Sequence, residues 1–162
     1  MTILIISTCS EELSEREFVT PISKIVGKDN HKILHYTECT EENTSEFAKI
    51  LICGTSLHDN SYQKDIDKFK KILYNFGKPI LGICLGMQLL ADVSYERGKF
   101  KGLGLIPGEV KKINIEGKNL LLPHVGWNPV KIKIKSPTYK EIENNSSFYF
   151  VHTYYYECDE KY

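Results

Sequence analysis

The sequence predicts an α/β fold: a mostly parallel sheet with helices on both faces, passing into a more antiparallel, β-rich second half. Two observations carry this. Four short strand candidates (Ile3 to Ser7, Lys32 to Tyr36, Ile50 to Cys53, Ile80 to Ile83) are separated by stretches that include helical spacing. Strands alternating with helices build parallel sheets covered on both faces, and such strands read as near-continuous apolar runs. After Gly98 the pattern changes. Short β-like stretches (Val110 to Ile115, Val130 to Ile134, Phe148 to His152) are then set apart by Gly and Pro turns.

The elements follow in order. Ile3 to Ser7 suits a strand buried on both faces, and a polar stretch follows it. Thr20 and Pro21 look like an N-cap and first helical residue ahead of Ile22, Ile25 and Val26. Gly54 ends the third strand, and residues 54 to 62 read as a polar loop. Ile66, Phe69, Ile72, Leu73 and Phe76 recur at intervals of three and four, which makes an amphipathic helix with Gly77 as its stop and Pro79 beyond. Met87, Leu89, Leu90 and Ala91 belong to the helix after the fourth strand. Right-handed crossovers put the C-terminal ends of parallel strands on one edge, where ligands bind. Gly54 and Cys84 both fall there.

Composition narrows the function classes. A chain of 162 residues suits one domain over 1–162. Lys plus Arg and Asp plus Glu are equal at 21 each, so no overall field attracts nucleic acid or an anionic membrane. The Lys-rich runs 111–118 and 131–135 alternate with Val or Ile and read as strands with one solvated face. The five cysteines (Cys9, Cys39, Cys53, Cys84, Cys158) are widely spaced and form no metal-type pair. Without a secretion signal they are expected as free thiols in a reducing cytoplasm. No metal, phosphate loop or cofactor is expected.

The chemistry concentrates in Gly82-Ile83-Cys84-Leu85-Gly86, a thiol version of the nucleophile elbow. A sharp strand-to-helix turn holds its central residue in a strained conformation, and flanking glycines make room for it. A helix start favours a thiolate, and the Leu85 N–H there can face a developing oxyanion. Gln88 lies one helical turn on, on the same face. A lone cysteine is by default a small core hydrophobe. Cys9, Cys39, Cys53 and Cys158 keep that reading, whereas the glycines, the strand and the helix around Cys84 reverse it.

The stretch Gly82-Ile83-Cys84-Leu85-Gly86-Met87-Gln88-Leu89-Leu90 resembles the nucleophile motif of class I glutamine amidotransferases. Three more segments resemble one branch, the glutaminase subunit of imidazole glycerol phosphate synthase: Gly102 to Val110, Pro123-His124-Val125-Gly126-Trp127-Asn128, and Tyr149 to Tyr155. They occur in the family's order, and the match covers about 79 to 155. The resemblance implies a flavodoxin-like three-layer domain. It would hydrolyse glutamine through a thioester and pass ammonia to a synthase (cyclase) partner in histidine biosynthesis. It makes Cys84 the nucleophile, with Leu85 N–H lining the oxyanion hole. Gln88 and His152-Thr153-Tyr154 would hold glutamine, and Trp127 and Asn128 would resemble the loop that faces the synthase. The plain alternative for Trp127 is a core tryptophan.

Two departures stand out. The family's general base is a histidine two residues before a glutamate, and none of His31, His35, His58, His124 and His152 has Glu at plus two. His152 matches the substrate-binding segment, so it is rejected as the base. The base and its carboxylate are expected beyond Tyr162, and the chain as written should have little glutaminase activity. At Cys53-Gly54-Thr55-Ser56-Leu57 the family usually has a Pro-Gly-Val-Gly or Gly-Gly-Pro type turn that supplies the second oxyanion donor. Gly54 and Thr55 stand in that place. Rival readings are a stand-alone amidotransferase with another acceptor, an inactive amidotransferase-like binding or regulatory module, another thiol hydrolase or redox protein, and a flavin carrier suggested by Ser7-Thr8-Cys9-Ser10.

Overall fold

A computed structural model of the protein describes residues 2–56, 59–159 and 161. The four strand candidates become β1 (Ile3–Ser7), β2 (His31–His35), β3 (Lys49–Ile52) and β4 (Ile80–Gly82), an all-parallel sheet in the order β2-β1-β3-β4. Alternate residues of each strand point to opposite faces. Leu4, Ile6, Ile50 and Ile52 therefore share one core cluster, and Ile5 and Leu51 share the other.

Between β1 and β2 lie α1 (Glu12–Phe18) and α2 (Thr20–Val26), which cover the Ile5 face through Phe18, Val19, Ile22 and Val26. The chain then crosses to the other side of β1, so the later crossovers cover the opposite face. They carry α3 (Glu41–Ser45) and α4 (Ile66–Phe76). All five apolar positions of the α4 stripe are buried, and Gly77 ends the helix in the left-handed conformation, at φ 61°. The reversal of direction between β1 and β3 parts the loops that follow them and opens a crevice at the strand C-terminal ends.

Several sequence expectations shift. Thr20 is the first residue of α2 rather than its cap. Its hydroxyl turns back to the Glu15 carbonyl of α1 at 3.4 Å, and Val19 stands at the cap position. β2 starts and ends one residue earlier than expected, because Tyr36 enters a short 3₁₀ turn. The elbow helix α5 (Leu85–Leu89) is only five residues long, with Leu90 as its C-cap and Ala91 outside it.

The second half forms β5 (Val93–Ser94), β6 (Phe100–Lys101), β7 (Gly108–Lys112), β8 (His124–Pro129), β9 (Ser147–His152) and β10 (Tyr154–Cys158). A mixed sheet runs β10-β7-β5-β6, and β8 and β9 make a separate antiparallel ribbon. The expected strand over 130–134 is not one. Pairing with β9 ends at Pro129, and beyond it Ile132 N–H is bonded to the Asn144 side chain rather than to a strand partner. The segment after β6 ties the two halves together. Leu103 N–H donates to Leu89 O, and Leu105 and Ile106 N–H donate to Leu90 O, at 2.7 to 3.0 Å. These bonds satisfy carbonyls that a helix end otherwise leaves open.

Candidate active site

Cys84 sits between β4 and α5 with φ 55° and ψ −121°, outside the regions that side-chain-bearing residues ordinarily occupy. The flanking glycines explain how the turn closes. A Cβ on Gly82 would lie 2.4 Å from the Gly86 carbonyl oxygen, and one on Gly86 would lie 2.1 Å from the Ile52 oxygen. Both obstacles are backbone, so no side chain fits at either position.

Across from the sulfur is the loop after β3. A Cβ on Gly54 would stand 3.4 Å from Cys84 Sγ and 3.6 Å from Leu85 N, so the two turns touch. The buried Cys9 thiol donates to the Gly54 carbonyl at 3.5 Å. In a trans peptide N–H and C=O point opposite ways, which aims the Thr55 N–H away from Cys9.

Asp59 pins this loop to the one after β1. Its carboxylate accepts from Ser10 N–H at 2.5 Å, Thr55 Oγ1 at 3.0 Å and Ser61 Oγ at 2.8 Å. Burial works to raise its pKa, but the hydrogen bonds from Ser10 and Ser61 outweigh it and hold the carboxyl below its ordinary value. A depressed folded pKa contributes stability above the unfolded value of about 4 that is lost as pH falls. Asp59→Asn is therefore expected to cost about 1–3 kcal/mol at neutral pH. It should also flatten the acid limb of a stability-against-pH profile measured by urea denaturation.

Cys84 opens into a cavity of about 660 Å³. Thr55, Leu85, Gln88, His152, Thr153 and Tyr154 line it together with the sulfur. Gln88 Oε1 is fully buried with no hydrogen-bond partner among the described residues. A buried acceptor left open in this way is costly unless a ligand fills it. Asp59 and Glu96 also line the cavity. Neither is signalled by sequence, since a lone carboxylate in a polar loop gives no pattern. A larger groove of about 950 Å³ lies along residues 130–137 and holds Cys158 but neither Cys84 nor Gln88.

The other cysteines divide. Cys9, Cys39 and Cys53 are buried. Burial pushes the Cys39 thiol up to about 11 and the Cys53 thiol up to about 12. Cys158, expected in the core, is exposed on β10 and, like Cys84, is an accessible thiol.

Both ring nitrogens of His152 are engaged, Nδ1 with the Tyr154 carbonyl at 2.8 Å and Nε2 with His124 Nδ1 at 2.9 Å. His31, on the sheet's outer strand β2, is bonded to Ser23 of α2 and to Gly27 at its end. His35 Nδ1 is paired with Thr37. Leu57 and His58 lie outside the described residues. Trp127 is not in the core: it is 71% exposed on strand β8, where a loop was expected. Asn128 is on the same strand, with its side chain on His124.

Comparison with known proteins bears on this geometry. Residues 23–160 match the family model of glutamine amidotransferase class-I. The chain belongs to the class I glutamine amidotransferase family. Among curated relatives, the imidazole glycerol phosphate synthase subunit HisH 1 of Campylobacter jejuni is 52% identical over 85 residues, covering 52% of this chain and 42% of the relative. The subunit HisH of Leptospira borgpetersenii is 38% identical over 134 residues, 78% of this chain and 65% of the relative. That of Listeria monocytogenes serotype 4b is 45% identical over 117 residues, 70% and 55% of the two chains. The chain thus spans about half the length of the curated relatives it matches. The four-stranded parallel sheet, helices on both faces and β-rich second half agree with the flavodoxin-like class I amidotransferase fold. No helix among the described residues is long and apolar enough to cross a membrane.

Proposed function

We propose that this chain is the glutaminase of an imidazole glycerol phosphate synthase, attacking the side-chain amide of glutamine with Cys84 and passing ammonia to a cyclase partner. The observation that carries the reading is the strained Cys84 turn, opening into a cavity shared with Gln88, Glu96 and the 152–154 segment.

The chemistry follows from the groups present. The Cys84 sulfur, once deprotonated, adds to the amide carbon, and the amide oxygen takes up negative charge. Leu85 N–H at the start of α5 and Thr55 N–H across the crevice are the donors for that oxyanion. Collapse breaks the C–N bond, the nitrogen takes a proton and leaves as ammonia, and a glutamyl thioester remains. Water hydrolyses it to glutamate and restores the thiol. Glu96 is the carboxylate for the substrate's α-ammonium group, because Asp59 is committed to the loops. Gln88 and the backbone at 152–154 hold the rest of the molecule.

Among the described residues, no histidine in this cavity has a free ring nitrogen to take the thiol proton. The chain by itself should therefore bind glutamine and react with glutamine analogues while releasing little ammonia. The same observation favours a second reading, an amidotransferase-like module that binds without turning over. Azaserine, a diazo analogue of glutamine, tests both. L-glutamine should protect Cys84 from it and D-glutamine should not, and an absence of protection contradicts the proposal. Glu96→Gln is expected to raise the azaserine concentration for half-maximal labelling by about ten- to a hundredfold, the worth of a charged hydrogen bond.

For the partner, we assign the solvent-exposed side of the ribbon, whose Tyr149 and Val151 also border the cavity. Val125, Trp127, Tyr149 and Val151 are exposed, and Val125 faces Val151 as Trp127 faces Tyr149. An exposed Trp–Tyr pair flanked by valines suits an interface anchor. Trp127→Ala should weaken association with the cyclase by about 2 kcal/mol or more, measured by calorimetric titration. Unchanged affinity would remove this face from the interface. Five cysteines without a disulfide suit the reducing cytoplasm, where we place the protein.

A further inference from the structure

The inner face of the β8–β9 ribbon carries a chain of side chains that ends at the cavity. His124 and His152 are register partners across the two strands. Their rings meet edge-on with centroids 5.0 Å apart, and Phe150 stacks on His124 at 5.8 Å. Asn128 Nδ2 lies 2.5 Å from His124 Nε2, His124 Nδ1 lies 2.9 Å from His152 Nε2, and His152 Nδ1 lies 2.8 Å from the Tyr154 carbonyl oxygen.

The direction of every proton in this chain follows from its last member. A carbonyl only accepts, so His152 Nδ1 carries a hydrogen. In the neutral ring Nε2 is then bare and accepts from His124 Nδ1–H. In neutral His124, Nε2 is bare in turn, and Asn128 presents its NH₂ to it. Three donors meet three acceptors end to end with no ring nitrogen left over, and one ring orientation is selected for each histidine.

We propose that His124 is a positioning residue of the glutamine site. It donates to the bare Nε2 of His152 and so fixes the plane of that ring, whose tautomer the Tyr154 carbonyl already sets. His152 in turn holds the Tyr154 carbonyl, and with it the 153–154 backbone that lines the cavity beside Cys84. The inference rests on the glutamine reading of that cavity. Thr153 is the single residue between β9 of the ribbon and β10 of the mixed sheet, so the anchor sits where the chain passes from one sheet to the other. Its outer end, Asn128, adjoins Trp127 on the exposed strand.

Two measurements test the proposal. Long-range proton–nitrogen NMR of the full chain should find both His124 and His152 as the Nδ1–H tautomer, which needs no variant and no substrate. Azaserine labelling then reads the consequence. His124→Phe should raise the concentration for half-maximal labelling of Cys84 by about tenfold, the loss of one hydrogen bond's positioning. It should leave alkylation of Cys84 by iodoacetamide unchanged and shift the His152 Nε2 resonance, which loses its hydrogen-bond donor. His124→Asn, whose amide nitrogen takes the place of Nδ1, should restore both readouts. An Nε2–H tautomer at His152 in the wild type overturns the proposal. So does His124→Phe with unchanged azaserine saturation. If wild-type protein ignores azaserine altogether, the glutamine reading fails instead, and the tautomers still decide whether the relay exists.

Discussion

Gly86→Ala is expected to destabilise the protein by about 3 kcal/mol or more, at or beyond the upper end of overpacking costs. The added methyl group would stand 2.1 Å from the Ile52 carbonyl oxygen and 2.7 Å from its carbon. That carbonyl cannot retreat easily. It accepts the Ile83 N–H at 3.0 Å, and Ile52 is paired with Gly82 in the parallel sheet. Moving α5 away instead would break the bonds from Leu103, Leu105 and Ile106 to Leu89 and Leu90. The measurement is the urea midpoint beside that of Gly117→Ala, whose methyl group meets nothing within 4 Å and whose positive φ of 70° costs only about 1 kcal/mol. Equal midpoints would mean that α5 does not lie on the end of β3, and the elbow would lose its geometric basis.

Cys84→Gly should move stability and reactivity in opposite directions. At φ 55° and ψ −121° a residue with a Cβ is strained by about 1–3 kcal/mol, whereas glycine adopts the conformation freely. Against this, glycine adds about 0.5–1 kcal/mol of unfolded-state entropy. The net expectation is a gain of about 1 kcal/mol in stability with total loss of azaserine labelling at this site. A functional residue held in strain leaves this signature, and an ordinary buried cysteine does not: truncating Cys53 in the core removes packing and gains nothing. A loss of stability in Cys84→Gly would show that the turn is relaxed.

How much of this was legible in the sequence depended on whether the signal was local. β1 and β3 were readable because strands covered on both faces are apolar throughout, and α4 because its stripe and its glycine stop fall at helical spacing. Helix α1, with the sequence Glu-Leu-Ser-Glu-Arg-Glu-Phe, buries only Ser14 and so shows no apolar stripe. Helix α3 is five residues held by reciprocal bonds between Thr40 and Asn43, a capping pattern without a periodic body. The alternating Lys and Ile of 131–135 imitated a strand, but alternation states only what a strand would look like. Pairing with β9 stops at Pro129 and decides otherwise. The elbow was legible because Cys84 and its two glycines are neighbours in sequence. Asp59 and Glu96 were not, because their place in the cavity is made by packing between loops from separate strands. The His124–His152 contact required knowing the register of the ribbon.

The most direct test of the account is to map the azaserine adduct on the intact chain by peptide mass spectrometry. Cys158 is the built-in control, a second accessible thiol with no elbow and no glutamine cavity around it. The account predicts one adduct per chain, on the peptide carrying Cys84, suppressed by L-glutamine. Adducts shared between Cys84 and Cys158, or labelling indifferent to glutamine, would contradict it.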